Sequence, residues 1–319
     1  MRWFSARLVS LYLGVASCVA LGATLRFWTG NTGMNIEEMK AGDYDPYRDF
    51  NGWVNNMLFQ CLGLSWLQSY IVANIQNADI AYYLQCYLRD LIGGHCVYWG
   101  TAGAWHLYFY KWRGKELFTD KGRAFPSNET IQHQMKLASG SLFVYAALPV
   151  FSEFLIENGH TKVYFFVEEV GWPMYGAMLL AYITVVEIGI YWMHRTLHTN
   201  KFLYNHIHQP HHKYDKAETL TPWASIAFHP LDGILQASPY VVALFFVPVH
   251  YFTHVFLLFF SGMWATNIHD SMWGDFEPIM GSKYHTIHHT KFIYNYGQWF
   301  TFCDNYWGTL HVPQKKKIN

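Results

Sequence analysis

The chain has 319 residues, 52% hydrophobic and 19% aromatic with only 14% charged, which is too apolar for an ordinary soluble domain and places it in a membrane. Its 22 basic and 22 acidic residues cancel, so no polyanion-binding surface follows and nucleic acid is excluded as a partner. Five cysteines, Cys18, Cys61, Cys86, Cys96 and Cys303, are scattered without a CxxC pair and read as free apolar fillers.

Arg2 and Arg7 precede an uncharged run from Leu8 to Leu25, read as an uncleaved anchor, although its length also suits a cleavable signal or part of a transit peptide. The stretch from Arg26 to Asp79 is Asn- and Gly-rich with excess acid, and reads as a loop with short amphipathic pieces such as Trp53 to Leu67. Leu91 to Tyr110 is the next span, where Gly93, Gly94, Gly100 and Gly103 let a neighbouring helix approach closely. His95 and His106 lie inside it without ligand spacing and read as buried hydrogen-bonding histidines. A basic connector follows, carrying Lys111, Arg113, Lys115, Lys121 and Arg123.

Ser139 to Ile156 and Gly171 to His194 make a hairpin about the polar turn at Glu157 to Lys162. Glu187 falls near the face of His194 two turns earlier, and either orients an imidazole or is paired elsewhere. This helix delivers His194 and His198, one turn apart on one face. His208, His211 and His212 follow; Pro210 disfavours helix before it, which puts His208 in a turn and His211 and His212 in the first turn of a new helix. The apolar stretch from Gly233 to Trp264, interrupted by Pro239 and Pro248, would be about 48 Å long if helical, too long for one crossing and too short for two. It reads as a bent or half-deep hairpin, with His250 and His254 as core or pocket-lining residues. Box three, His285, His288 and His289, closes the series on one helix.

Neutral imidazole offers a lone pair near pH 7, and ligands one turn apart can chelate a single ion. The three clusters supply eight such nitrogens, too many for one tetrahedral ion and suited to two metals with open positions for a small molecule. Spacing does not choose among zinc, copper, iron and nickel.

The HxxxH, HxxHH and HxxHH order resembles the histidine boxes of the fatty acid hydroxylase and sterol desaturase superfamily of membrane di-iron oxidases. Within it, Thr219 to Gln236 (TLTPWASIAFHPLDGILQ), the NIHD of Asn267 to Asp270, and YHTIHHT followed by YNYGQ are similar to the sterol C5-desaturase branch, the delta-7-sterol-C5(6)-desaturases and lathosterol oxidases. The likeness runs from Pro149 to Val312; the first seventy or so residues carry none of it. It implies an all-α fold, a polytopic membrane helical bundle with a cytosolic helical cap that holds a His-rich dinuclear site. It implies iron, two per chain, and dioxygen as oxidant, with a delta-7 sterol giving up hydrogens at C5 and C6. Two electrons come from the sterol and two from NAD(P)H through cytochrome b5 and its reductase. That donor is a separate protein, because His229-Pro230 is followed by Leu231 rather than by the HPGG of a fused cytochrome b5 module.

The resemblance further implies that histidines outside the boxes complete the metal shells. His229 and His269, each near a carboxylate, Asp232 and Asp270, are the expected additions to His194, His198, His208, His211, His212, His285, His288 and His289. Relatives in the hydroxylase branch have a further HxxxH where this chain has Ala265 to His269, so His229 is the candidate for the displaced ligand. His206 has no place in the boxes and is left out.

The expected organisation is 1–79, an N-terminal anchor and divergent loop; 80–160, transmembrane helices; 161–313, the catalytic domain; and 314–319, a basic tail. Lys316 and Lys317 in that tail resemble a dilysine retrieval signal of endoplasmic-reticulum membrane proteins, and a solvated basic tail is the alternative. All three boxes must meet on one side of the bilayer. A cytosolic donor and the positive-inside rule, applied to Arg2, Arg7 and the basic connector, make that side cytosolic. Two rival functions remain at this level: a C4-methyl sterol oxidase or other lipid hydroxylase sharing the boxes, and a membrane protein that binds or transports metal.

Overall fold

The computed structural model describes residues 45–216, 218–270 and 277–314. The expected anchor at Leu8 to Leu25 and the lysines of the tail lie outside the described residues. The structure is predominantly helical and divides into two units, one holding 45–96 with 146–161 and the other 97–145 with 162–314.

In the first unit, α1 (Pro46–Cys61) and α2 (Ser65–Asn74) occupy what reads from sequence as loop. The start of α1 has a local cause: the Asp45 carboxylate accepts the N–H groups of Tyr47 and Arg48, and Pro46 takes the first helical position, where a missing N–H costs nothing. α3 (Ala78–His106) begins thirteen residues before the expected Leu91, and the span's last residues, Leu107–Trp112, widen into a π turn. Within this unit Arg89 is buried and pairs with Asp90 at 2.9 Å and with Glu153 of α5 (Ala147–Glu157), and it donates to Asn51 and Asn55 as well. A charge so placed is retained because every neighbour is an acceptor.

In the second unit, α4 (Asn128–Tyr145) and α6 (Trp172–Thr199) flank α7 (Pro230–Ala243). Two stretches, Asn128–Glu157 and Trp172–Thr199, are long and apolar enough to cross a membrane, and only 33% and 28% of their apolar windows are buried. A soluble core helix would bury most of such a window. Instead Trp172, Leu180, Val185 and Trp192 of α6 are exposed, the surface a helix presents to lipid.

α6 meets α7 where Gly189 faces Pro239; a Cβ on Gly189 would lie 2.7 Å from the proline ring, so only glycine permits this approach. The apolar stretch after Gly233 is a helix pair, α7 and α8 (Tyr251–Ile268), broken in the link that holds Pro248, whereas Pro239 is carried inside α7. The break between its helices carries β2 (Val249–His250), which pairs in parallel with β1 (Val163–Tyr164), ahead of α6, in a two-stranded sheet that the sequence did not predict. Tyr175 near the start of α6 bonds Thr253 at 3.0 Å. Because Tyr175 lies about 28 Å along α6 from His194 at 1.5 Å per residue, the pair runs the depth of α6 and returns. α7 begins, and α8 ends, at the histidine end.

Candidate metal centre

α6 presents His194 and His198 at its last two turns and stops there because the Asn200 side chain accepts the N–H groups of Phe202 and Leu203, opening a new turn. That turn runs into a π turn, Tyr204–His208, and then a 3₁₀ turn, His211–Lys213. Pro210 does not force its predecessor out of helical space: Gln209 is helical at φ −55 and ψ −38, and the wide π turn provides the room. His208 therefore closes a helical turn rather than lying in an open one. α9 (Ser282–Lys291) carries box three, and His269 follows the last residue of α8.

These elements bring nine of the ten expected histidines into two groups, His194, His198, His208, His212 and His288, and His211, His269, His285 and His289; within each, the ligand atoms lie within 4.8 Å of one another. Boxes two and three are each divided between the groups. On a helix the residue at i+3 points about 60° away from i while i+4 returns close to it. His285 and His289 thus face one group and His288 the other, and box two makes the opposite division, giving His208 and His212 to the first group and His211 to the second. His212 and His289 stack across the boundary at 4.5 Å between ring centroids.

Four of the imidazoles are oriented by a partner on Nδ1. His194 donates to the Tyr296 carbonyl at 2.9 Å, His288 to the Tyr294 carbonyl at 2.8 Å, His269 to the Ala265 carbonyl at 2.6 Å, and His208 to the Asp232 carboxylate at 2.7 Å. A carbonyl or carboxylate can only accept, so in each the lone pair is on Nε2. Three of these Nε2 atoms face the Nε2 of another imidazole: His208 is 2.9 Å from His198, His288 3.1 Å from His212, and His269 3.0 Å from His285. Such spacings match the edge of a coordination shell, about 3.0–3.4 Å for nitrogens about 2.1 Å from an ion. His194 Nε2 is buried with no protein partner at all. Burial first, and then the neighbouring imidazoles, hold His211, His212, His285, His288 and His289 well below the ordinary imidazole range, so all five are neutral at pH 7, the form in which an imidazole can bind a metal. The residues fit two ions bound by nitrogen.

His229 is not brought to either group. It caps α7, its Nδ1 accepting the Leu231 N–H at 3.3 Å. Nor does Asp232 orient it: that carboxylate, 0% exposed, turns to His208 and is fixed on its other oxygen by Gln236 at 2.8 Å. Replacing Asp232 with Asn is expected to weaken metal at the five-histidine group about 10–100-fold, the usual cost of losing an orienting carboxylate; metal affinity equal to wild type in equilibrium dialysis would exclude that role. His254 bonds the Tyr182 hydroxyl at 2.8 Å and His206 stacks on Phe202, both apart from the groups; His254 is a core residue although His250 and His254 share the HxxxH spacing of the first box. Two buried carboxylates that do touch the centre's framework are Glu187 and Asp304, both bound to backbone N–H groups of 296–300. Asp304 carried no signal in the sequence.

Residues 179–309 match the fatty acid hydroxylase family. A Delta(7)-sterol-C5(6)-desaturase of Nicotiana tabacum is 45% identical over 230 residues, 72% of this chain and 84% of that protein. A putative Delta(7)-sterol-C5(6)-desaturase 2 of Arabidopsis thaliana is 41% identical over 238 residues, 75% of this chain and 85% of that one. The chain is a member of the sterol C5-desaturase family. A lathosterol oxidase of Rattus norvegicus is 38% identical over 179 residues, 53% of this chain and 58% of that protein. No solved structure matches. In this desaturase family member the matched residues include both histidine groups and the loop of 296–300.

Proposed function

We propose that the protein is an oxygen-dependent membrane oxidoreductase that introduces the C5–C6 double bond into delta-7 sterols. The observation that carries this is the pair of adjacent, buried, all-imidazole groups at the end of long apolar helices, in a chain that spans most of the length of plant proteins named for this reaction. Two irons are the metals of the reading, held by His194, His198, His208, His212 and His288 in one group and His211, His269, His285 and His289 in the other. When bound, they supply the activation of dioxygen that no side chain provides. The protein's part is to fix the imidazoles, exclude water and hold an unactivated carbon against the centre.

The balance is one sterol, one dioxygen, two electrons and two protons giving the diene and two waters. The outside electrons come from NAD(P)H through cytochrome b5 and its reductase. Burial of eight of the nine histidines, with His198 half-buried, favours a fixed centre over a metal conduction path, which would need open ligands along its length.

The catalytic region is 161–313 and the spans before it belong to 80–160. The protein crosses the endoplasmic-reticulum membrane several times with its histidine groups on the cytosolic side. In support, α4 starts beside them, His133 bonding Tyr214 at 2.6 Å, so the basic connector before it shares their side. Asn128-Glu129-Thr130 matches the N-glycosylation pattern but lies on the cytosolic side in this orientation, so a glycosidase-sensitive mass shift that disappears in Asn128→Gln would overturn it.

The deciding experiment expresses the chain in cells lacking C5-desaturase and analyses their sterols. Conversion of delta-7 sterols into 5,7-dienes is expected. A hydroxylated sterol, or oxidation at the C4 methyl, would establish the rival oxidase reading instead.

A further inference from the structure

The backbone of 296–300 passes between two buried carboxylates that take all five of its N–H groups. Asp304 accepts from Tyr296 and Gly297, both at 2.8 Å. Glu187, from the middle of α6, accepts from Gln298 at 3.0 Å, Trp299 at 3.0 Å and Phe300 at 3.1 Å. Both carboxylates are 0% exposed, and Thr309 secures Asp304 through a further bond of 2.7 Å. Gly297 lies where the two meet: a Cβ there would stand 3.0 Å from Glu187 Oε1 and 3.1 Å from Asp304 Oδ2, and would press into the Phe300 carbonyl. A carboxylate buried in an apolar helix is costly unless its oxygens are satisfied, and here the peptide dipoles satisfy it.

This segment has a specific load. The Tyr296 carbonyl receives Nδ1–H of His194, and the Tyr294 carbonyl, two residues earlier, receives that of His288. Asn295 between them takes left-handed backbone, φ 58, and its side chain donates to the Tyr284 carbonyl at 2.9 Å, tying the segment to the helix of box three. The Tyr296 ring lies 5.7 Å from His194, 5.3 Å from His198 and 5.5 Å from His288 between centroids. All three histidines belong to the five-membered group. His269 of the other group is oriented from within its own helix by Ala265.

We propose that Glu187 and Asp304 are positioning residues for the five-histidine group alone: a two-carboxylate clamp that sets the carbonyls which orient His194 and His288. The inference rests on the metal-bearing reading of the centre. Each orienting partner is worth about 10–100-fold in metal affinity, so release of both lowers affinity at this group by about 10²–10⁴-fold. The four-histidine group keeps its metal.

The test uses the full chain in detergent, loaded with ferrous iron, as wild type, Glu187→Gln and Gly297→Ala. The amide of Glu187→Gln presents N–H to the Trp299 N–H where Oε2 accepted and removes the charge that the other amides face, and Gly297→Ala pushes the same backbone while leaving both carboxylates in place. Iron per chain after dialysis is expected to fall from about two to about one in both variants, with helical circular dichroism and size-exclusion profile unchanged and the iron spectrum converted to that of a single centre. Two irons and a wild-type spectrum in either variant would overturn the proposal, as would loss of both irons in a chain that keeps its helical content. Asp304→Asn provides the second handle if Glu187→Gln fails to fold: partial loss confined to one iron supports the clamp, and none refutes it. Because the readout is iron rather than sterol, a wild type that binds two ions yet leaves delta-7 sterols untouched would remove the substrate reading and leave the clamp standing.

Discussion

Replacing His288 with alanine is expected to abolish sterol desaturation, a loss of more than about 100-fold, while the protein stays in the membrane at wild-type level. His288 is the one residue that box three gives to the five-histidine group, and its Nε2 lies 3.1 Å from that of His212. Its removal deletes a ligand and leaves the Tyr294 carbonyl without the imidazole it receives. His208→Ala carries the same expectation, since it deletes a ligand and leaves Asp232 as a buried carboxylate without its charge-assisted partner. The control is His229→Ala, which should cost only a modest loss from an altered helix start, because His229 belongs to neither group. His133→Ala, whose bond is to Tyr214, should be tolerated in the same way. Turnover measured on membranes of equal protein content decides the matter: wild-type rates in His288→Ala, or complete loss in His229→Ala, would undo the assignment.

The eight box histidines were legible because their spacing is a helical repeat, which in α6 continues an apolar run and in α9 stands in a short polar helix. Their division into groups of five and four was not legible. It depends on the direction in which the π and 3₁₀ turns aim His208, His211 and His212, and local sequence does not fix that when a proline interrupts the pattern. His229 shows how a local rule misleads. Asp232 lies three residues from it along the chain, which reads as an orienting carboxylate, but as the N-cap His229 turns to the amide of Leu231 while Asp232 reaches across to His208. Sequence distance measured the wrong neighbour. The same holds for Glu187, whose two readings were an imidazole partner or a pairing elsewhere: it acts on backbone amides 111 to 113 residues away, a relation no periodicity encodes. The helix α1 is the opposite case, since Asp45-Pro46 is a start signal written in the sequence and outweighed in the reading by the acidic, Gly-rich composition around it.

Removal of iron should extinguish the reaction, and zinc should not restore it. Nothing in the donor set rejects zinc: the groups are nine imidazoles, and imidazole serves zinc, copper, iron and nickel alike. Their Nε2 spacings of about 3 Å suit any ion that binds nitrogen near 2.1 Å. The reaction chooses where the ligands do not. Desaturation withdraws two electrons from an unactivated carbon pair and spends four on dioxygen, and a closed d¹⁰ ion such as zinc has no redox state through which those electrons can pass. Gently purified protein is therefore expected to carry about two irons per chain, one for each group of histidines, and to lose all turnover on treatment with a ferrous chelator. Ferrous iron should restore activity in proportion to the iron rebound, while zinc should occupy the same histidines and block that recovery. The measurements are elemental analysis and diene formation on the same samples. A preparation that holds zinc alone and still forms the 5,7-diene would overturn the redox mechanism, because the electrons would then have no metal route through this centre.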